Sequence, residues 1–271
     1  MLTFSSDGVD IAYVDVAAEG GERGLPVLLI HGFASNHAVN WINTQWVSAI
    51  TQAGHRVIAL DVRGHGQSGK LYDPEAYDSK LMALDCINLL NHLGVKHAIA
   101  MGYSMGARVA IFMARDYPDR IEAAIMGGLG DRLLQPGGLP SGIAEALEAP
   151  DAGYIRDSMG RMFRAFATQT GSDLKALAAC IRGSRQHITP EEAAKIECPV
   201  FVAVGTMDMI AGNGAVLAEQ FSDGEFFEIP RRDHMQAVGD RNHKTAVLEF
   251  LEDISPEASG AAALPAAGGG S

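Results

Sequence analysis

Cysteine is scarce in this chain of 271 residues, and the three present, Cys86, Cys180 and Cys198, form no C-x-x-C pair. That excludes a disulfide framework and points to a reducing compartment. Positive charge is also short. Lys and Arg total 21 against 33 Asp and Glu, a net charge of −12. Such a chain has no field to gather phosphates, which argues against nucleic acid as a partner and against docking on an anionic membrane. No apolar stretch is long and charge-free enough to span a bilayer, so no integral membrane segment is expected. The opening MLTFSSDGVDIAY lacks a basic region leading into an apolar run. No signal peptide is read there, and the expected location is cytoplasmic. Apolar residues are plentiful at 47%, with 20% charged, and the length suffices for a large core.

The pattern along the chain predicts an α/β fold. LTFSS and VDIAYVDV flank Asp7-Gly8, a dipeptide suited to a type I′ turn, so an antiparallel N-terminal hairpin is expected. The second run alternates, as a half-exposed strand does. Short unbroken apolar runs follow at VLLI (27–30), VIAL (57–60), AIAM (98–101), IEAAIM (121–126) and VFVAV (200–204). Runs of this kind suit strands covered on both faces of a mostly parallel sheet, with the helical stretches between them as crossovers. Residues 131–195 break the rhythm with helical patterns and no strand, and read as a helical insertion. The core is thus expected over 1–130 and 196–254. The Ala/Gly/Ser-rich stretch 255–271 reads as a disordered tail.

Gly102-Tyr103-Ser104-Met105-Gly106 is a G-x-S-x-G. Alone it is weak, because glycine is common here. Its context is stronger: it follows a buried-strand pattern and opens MGARVAIFMARDYP, in which Met105, Val109, Phe112 and Met113 recur at helical spacing on one face. A strand–turn–helix setting is what a nucleophile elbow requires. The turn is tight, so Gly102 and Gly106 must be small, and the serine is presented beyond the carboxyl ends of the strands.

A serine hydroxyl needs a base and an acid to orient the base. His234 lies in IPRRDHMQAVGD, just past the last strand run, EFFEI. His243, nearer the terminal helix, reads as a surface residue. Asp208 follows a buried strand in VFVAVGTMDMI, with Asp131 as the rival acid, and Asp233 adjoins His234. The order Ser104, Asp208, His234 suits an elbow-type triad. A tetrahedral intermediate also needs two amide donors. The N–H of Met105 is one. Gly32 lets the chain turn after VLLI so that the N–H of Phe33 supplies the other, while His31 orders that loop. Asp61 to Ser68 (DVRGHGQS) superficially resembles a phosphate cradle but lacks the Lys-Ser/Thr of a P-loop, and reads as a rigid loop.

Together HGF, DVRGHGQSG, GYSMGA, VGTMD and DHMQ, in this order and spacing, resemble the α/β-hydrolase fold superfamily over residues 2 to 254. One departure is Ala107, where many relatives have glycine. The resemblance implies Ser104 as nucleophile, His234 as base, Asp208 as acid, and the Phe33 and Met105 amides as the oxyanion hole. It implies that 131–195 is a cap over the site, and it requires no metal or organic cofactor. The expected activity is hydrolysis of a small to medium, uncharged carboxylic ester through an acyl-enzyme, with a small-molecule ester as the substrate. Carbon–carbon bond hydrolysis, cofactor-free perhydrolysis and acyl transfer use the same constellation. Epoxide hydrolases and haloalkane dehalogenases place Asp at the elbow, so Ser104 argues against both. A binding protein that has kept the fold without catalysis is the reading from a different class. Met159, Met162, Phe163, Phe166, Leu174, Leu177 and Ile181 read first as packing of the cap. Arg156, Arg161 and Arg164 read as its solvated face. The sequence carries no signal for oligomeric state.

Overall fold

A computed structural model of the chain describes residues 1–255. Apart from Ser255, the tail read from residue 255 onward lies outside the described residues. In chain order the strands are β1 (Leu2–Ser6), β2 (Val9–Val16), β3 (Val27–Ile30), β4 (Val57–Leu60), β5 (Ala98–Tyr103), β6 (Ile121–Gly127), β7 (Val200–Gly205) and β8 (Gly224–Ile229). The principal helices are α1 (Trp46–Gln52), α2 (Ser79–His92), α3 (Met105–Asp116), α4 (Gly142–Glu148), α5 (Ser158–Gln169), α6 (Leu174–Gly183), α7 (Pro190–Ala193), α8 (Gly214–Ala218), α9 (His234–Ala237) and α10 (Arg241–Asp253).

The strands form one eight-stranded sheet in the order β1-β2-β4-β3-β5-β6-β7-β8. β1 and β2 pair antiparallel through a turn in which Asp7 and Gly8 both have positive φ, as a type I′ turn requires. β2 meets β4 antiparallel, and from β4 to β8 every pairing is parallel. The antiparallel hairpin on a parallel sheet is the architecture the sequence implied. β2 is less half-exposed than its alternation suggests. It lies between β1 and β4, so Ile11, Ala12 and Tyr13 are buried in succession.

Alternate residues of the central strands point into two separate cores. Leu28 and Ile30 of β3, with Val200 and Val202 of β7, join the core beneath α2 and α3. Val27, Leu29, Phe201 and Ala203 join the opposite one, with Trp46 of α1 and Val247, Phe250 and Leu251 of α10. Burial on both faces is why these strands read as unbroken apolar runs.

Between β6 and β7 the described chain is helical, with α4 to α7 and no strand. Aspartates start two of its helices: Asp157 accepts from Gly160 N before α5, and Asp173 accepts from Lys175 N and Ala176 N before α6. This layer is tied to the loop after β3. The Phe163 ring meets Phe33 edge-on at 5.7 Å, and Thr170 Oγ1 donates to Ala34 O over 2.9 Å.

Candidate active site

The site lies at the carboxyl ends of the strands, where β5 turns directly into α3. Ser104 sits at that turn with φ 54° and ψ −109°, a sparsely populated conformation for a residue with a Cβ, and costs about 1–3 kcal/mol. Its surroundings enforce the strain. The Ser104 amide donates to Gly127 O at the end of β6 over 2.7 Å. Gly102 and Gly106 let strand and helix touch: a Cβ on Gly102 would run into the Gly106 carbonyl, and one on Gly106 into the Ile30 carbonyl.

Three side chains converge there. His234 Nε2 lies 3.0 Å from Ser104 Oγ, and His234 Nδ1 lies 2.7 Å from Asp208 Oδ2. Nδ1–H donates to the carboxylate, which leaves the Nε2 lone pair facing the hydroxyl. Asp208 lies in the loop after β7, and its Oδ1 accepts from Ile210 N (2.8 Å) and Ala211 N (2.9 Å). Burial pushes its carboxyl pKa up, but the His234 hydrogen bond and charge and the two amides outweigh it and hold the value below the ordinary range. His234 opens α9, and Tyr103 Oη donates to its carbonyl over 2.5 Å.

The alternatives are engaged elsewhere. Asp233 caps α9, accepting from Met235 N and Gln236 N. Asp131 accepts from Asn213 N over 2.8 Å. His243 corrects an expectation. It is not a surface residue but is wholly buried, its ring against Trp46 at 5.1 Å and its Nδ1–H donating to Ala237 O. It occupies the inward face of α10, and burial lowers its pKa to about 4.

The loop after β3 brings the second set of groups. His31 Nδ1–H donates to Gly32 O (2.8 Å), and its Nε2 accepts from Val62 N (3.0 Å), stitching the loops after β3 and β4. Gly32 N donates to Asn40 Oδ1 over 2.7 Å. Gly32 passes close to Ser104: a Cβ there would stand 3.6 Å from Ser104 Cβ. Among the described residues, neither the Phe33 nor the Met105 amide has an acceptor. Asp61 braces the neighbouring loop, accepting from His37 N, His37 Nδ1 and Gln67 N. Arg63 grips Asp85 through two hydrogen bonds, at 2.6 and 2.8 Å. Among the described residues no group of three or more His, Cys, Asp or Glu could hold a metal ion.

Two cavities flank Ser104. One is lined by His234, Met235, Phe33, Phe163 and Phe166. The other is lined by Met105, Leu129, Cys180, Ile181, Ile210 and Arg108. Phe163, Phe166 and Ile181 therefore serve as walls as well as packing. Asn40, Tyr103 and Arg108 were missed as site residues: only their tertiary partners mark them out.

Comparison with known proteins places this geometry. The family model for the alpha/beta hydrolase fold matches residues 26–129. The bifunctional epoxide hydrolase 2 of Sus scrofa is 32% identical over 117 residues, which is 43% of this chain and 20% of that protein. The epoxide hydrolase matches thus span less than a third of those proteins' lengths. A non-heme chloroperoxidase of Streptomyces lividans is 28% identical over 232 residues, covering 76% of this chain and 81% of that one. The structure of a thermophilic esterase from Thermogutta terrifontis superposes with a TM-score of 0.71 at 24% identity, over 93% of this chain and 97% of that one. Sheet order, the tight β5–α3 turn and structural likeness over nearly the whole chain agree: the chain has the alpha/beta hydrolase fold.

Proposed function

We propose that the protein is a serine hydrolase that cleaves a carboxylic ester through an acyl-enzyme on Ser104. The observation that carries this is the continuous hydrogen-bonded relay Asp208–His234–Ser104, with the hydroxyl at the junction of two cavities. His234 Nε2 takes the Ser104 proton as Oγ attacks the ester carbonyl. The developing oxyanion is held by the Phe33 and Met105 amides, which are fixed in place before reaction and need no reorganisation. His234 then protonates the leaving alcohol as the ester C–O bond breaks. In the second half-reaction it takes a proton from water, which attacks the acyl carbon and releases the acid and the free serine. His31, Gly32, Gly102 and Gly106 shape the loops that hold these groups, and residues 131–195 act as a cap that shields the acyl-enzyme. A reducing, cytoplasmic setting suits the three unpaired thiols.

A fluorophosphonate probe tests the assignment. It should label the wild type at Ser104 and leave Ser104→Ala unlabelled; a folded wild type that is not labelled removes the reading. A second reading, perhydrolysis, is favoured by the likeness to the chloroperoxidase across most of both chains. Hydrogen peroxide would replace water in deacylation and release a peracid. Bromination that depends on both peroxide and a carboxylate would reveal it.

A further inference from the structure

The two cavities differ in one respect that bears on the substrate. His234 lines only one of them. The leaving alcohol must reach the His234 proton, so it occupies that side, and the acyl chain extends into the other. The acyl-side cavity is mostly apolar but includes Arg108, one turn along α3 from Ser104.

Arg108 is unusual among the arginines here. It is 6% exposed, yet no carboxylate among the described residues pairs with it, and its recorded side-chain bond is to the Gln186 carbonyl. The charge acting on it is a second arginine, Arg185, and a third, Arg132, lines the same cavity without an acidic partner among the described residues. Burial, with Arg185 beside it, lowers its pKa to about 10, so it stays charged at neutral pH. The other buried arginine, Arg63, is paired with Asp85. An unpaired buried cation is costly, and the cost is relieved when an anion arrives. In a chain of net charge −12, a cluster of cations beside the nucleophile is a local reversal of sign.

We infer that Arg108 is a specificity-determining residue that binds a carboxylate at the far end of the acyl group. The substrate class is then the half-ester of a dicarboxylic acid, with its methylenes against Met105, Leu129 and Ile181 and its free carboxylate on Arg108. Arg132 and Arg185 draw the anion in. This rests on the ester-hydrolase reading and departs from the uncharged substrate that the sequence suggested. The chemistry is unchanged: the ester C–O bond breaks, and the distal carboxylate takes no part.

The test compares methyl hydrogen adipate with its neutral amide analogue, methyl adipamate, by acid release. The wild type should favour the carboxylate at least tenfold in kcat/KM, and added salt should reduce the preference. Arg108→Gln should lower that ratio at least tenfold, and Arg108→Lys, which keeps the charge without the planar fork, should be intermediate. A wild type that favours the amide, or a ratio that survives Arg108→Gln, overturns the proposal. If neither ester is hydrolysed, calorimetry with adipate separates the two readings. Binding to Ser104→Ala that is lost on adding Arg108→Gln keeps the carboxylate site and discards the ester reading. Absence of binding discards the site.

Discussion

At Ser104 the backbone conformation and the chemistry are coupled. The positive φ that lifts Oγ toward His234 costs stability, and glycine would relieve it. Ser104→Gly is therefore expected to be inactive yet more stable by about 1 kcal/mol in urea denaturation, since removing functional strain commonly stabilises. Ser104→Ala keeps the Cβ and the strain. It should lose activity by a factor of about 10⁴ or more with little change in stability. Asp208→Asn should lower kcat by on the order of 10³ to 10⁴. The amide can donate to Nδ1 and turn the lone pair away from Ser104, an effect stopped-flow measurement of acylation would isolate. That Ser104, Asp208 and His234 meet was legible because motif and flanking pattern agreed. His243 was not, because a polar residue in a helix shows its buried face only once α10 is docked against Trp46.

At the scale of elements, α3 is more than an amphipathic helix. Every residue from Met105 to Ala114 is buried, because α3 lies between the sheet, α2 and the helical insertion. Its sequence showed one apolar face; the small residues Gly106, Ala107 and Ala110 let other elements approach the rest. Gly106→Ala should destabilise the protein by more than about 2 kcal/mol, because the new Cβ would run into the backbone carbonyls of Ile30 and His31. Phe163 of α5 is nearly buried and packs on Phe33, beside the amide assigned to the oxyanion hole. Phe163→Ala should cost about 3 kcal/mol or less, since the insertion repacks more readily than the central core. It should also raise KM, which steady-state kinetics would show as a change separate from the Tm. The helices of 131–195 were readable from periodicity, but which side chains line a cavity was not. Phe166 and Ile181 pack and line at once.

For the molecule as a whole, acid stability should depend on Asp61. Burial pushes its carboxyl up, but the His37 side-chain bond, the nearby His31 and two amides bring it down to about 2 from 3.8. A lowered folded value means its stabilisation is complete above about pH 4 and is lost as pH falls toward 2. The linkage is worth about 2.5 kcal/mol. Asp208 acts in the same direction. Urea midpoints from pH 5 to pH 2 should fall steeply for the wild type. For Asp61→Asn they should start lower and fall less across that window.

The sequence by itself determined the sheet, its hairpin and the elbow, because period, turn chemistry and glycine placement are local properties. It also offered Asp208 and His234, since a residue just past a buried strand must lie at the carboxyl edge of the sheet. The tertiary structure decided which of the rival groups meet: Asp131 goes to Asn213 and Asp233 to a helix cap, while Asp208 reaches His234. It also decided the character of the cavity beside Met105. Arg108 and Arg132, distant in sequence, line it without a carboxylate partner among the described residues, and Arg185 acts on Arg108 from nearby. Charge pairing is a property of distances between chain segments, and those exist only after the cores on the two faces of the sheet have formed.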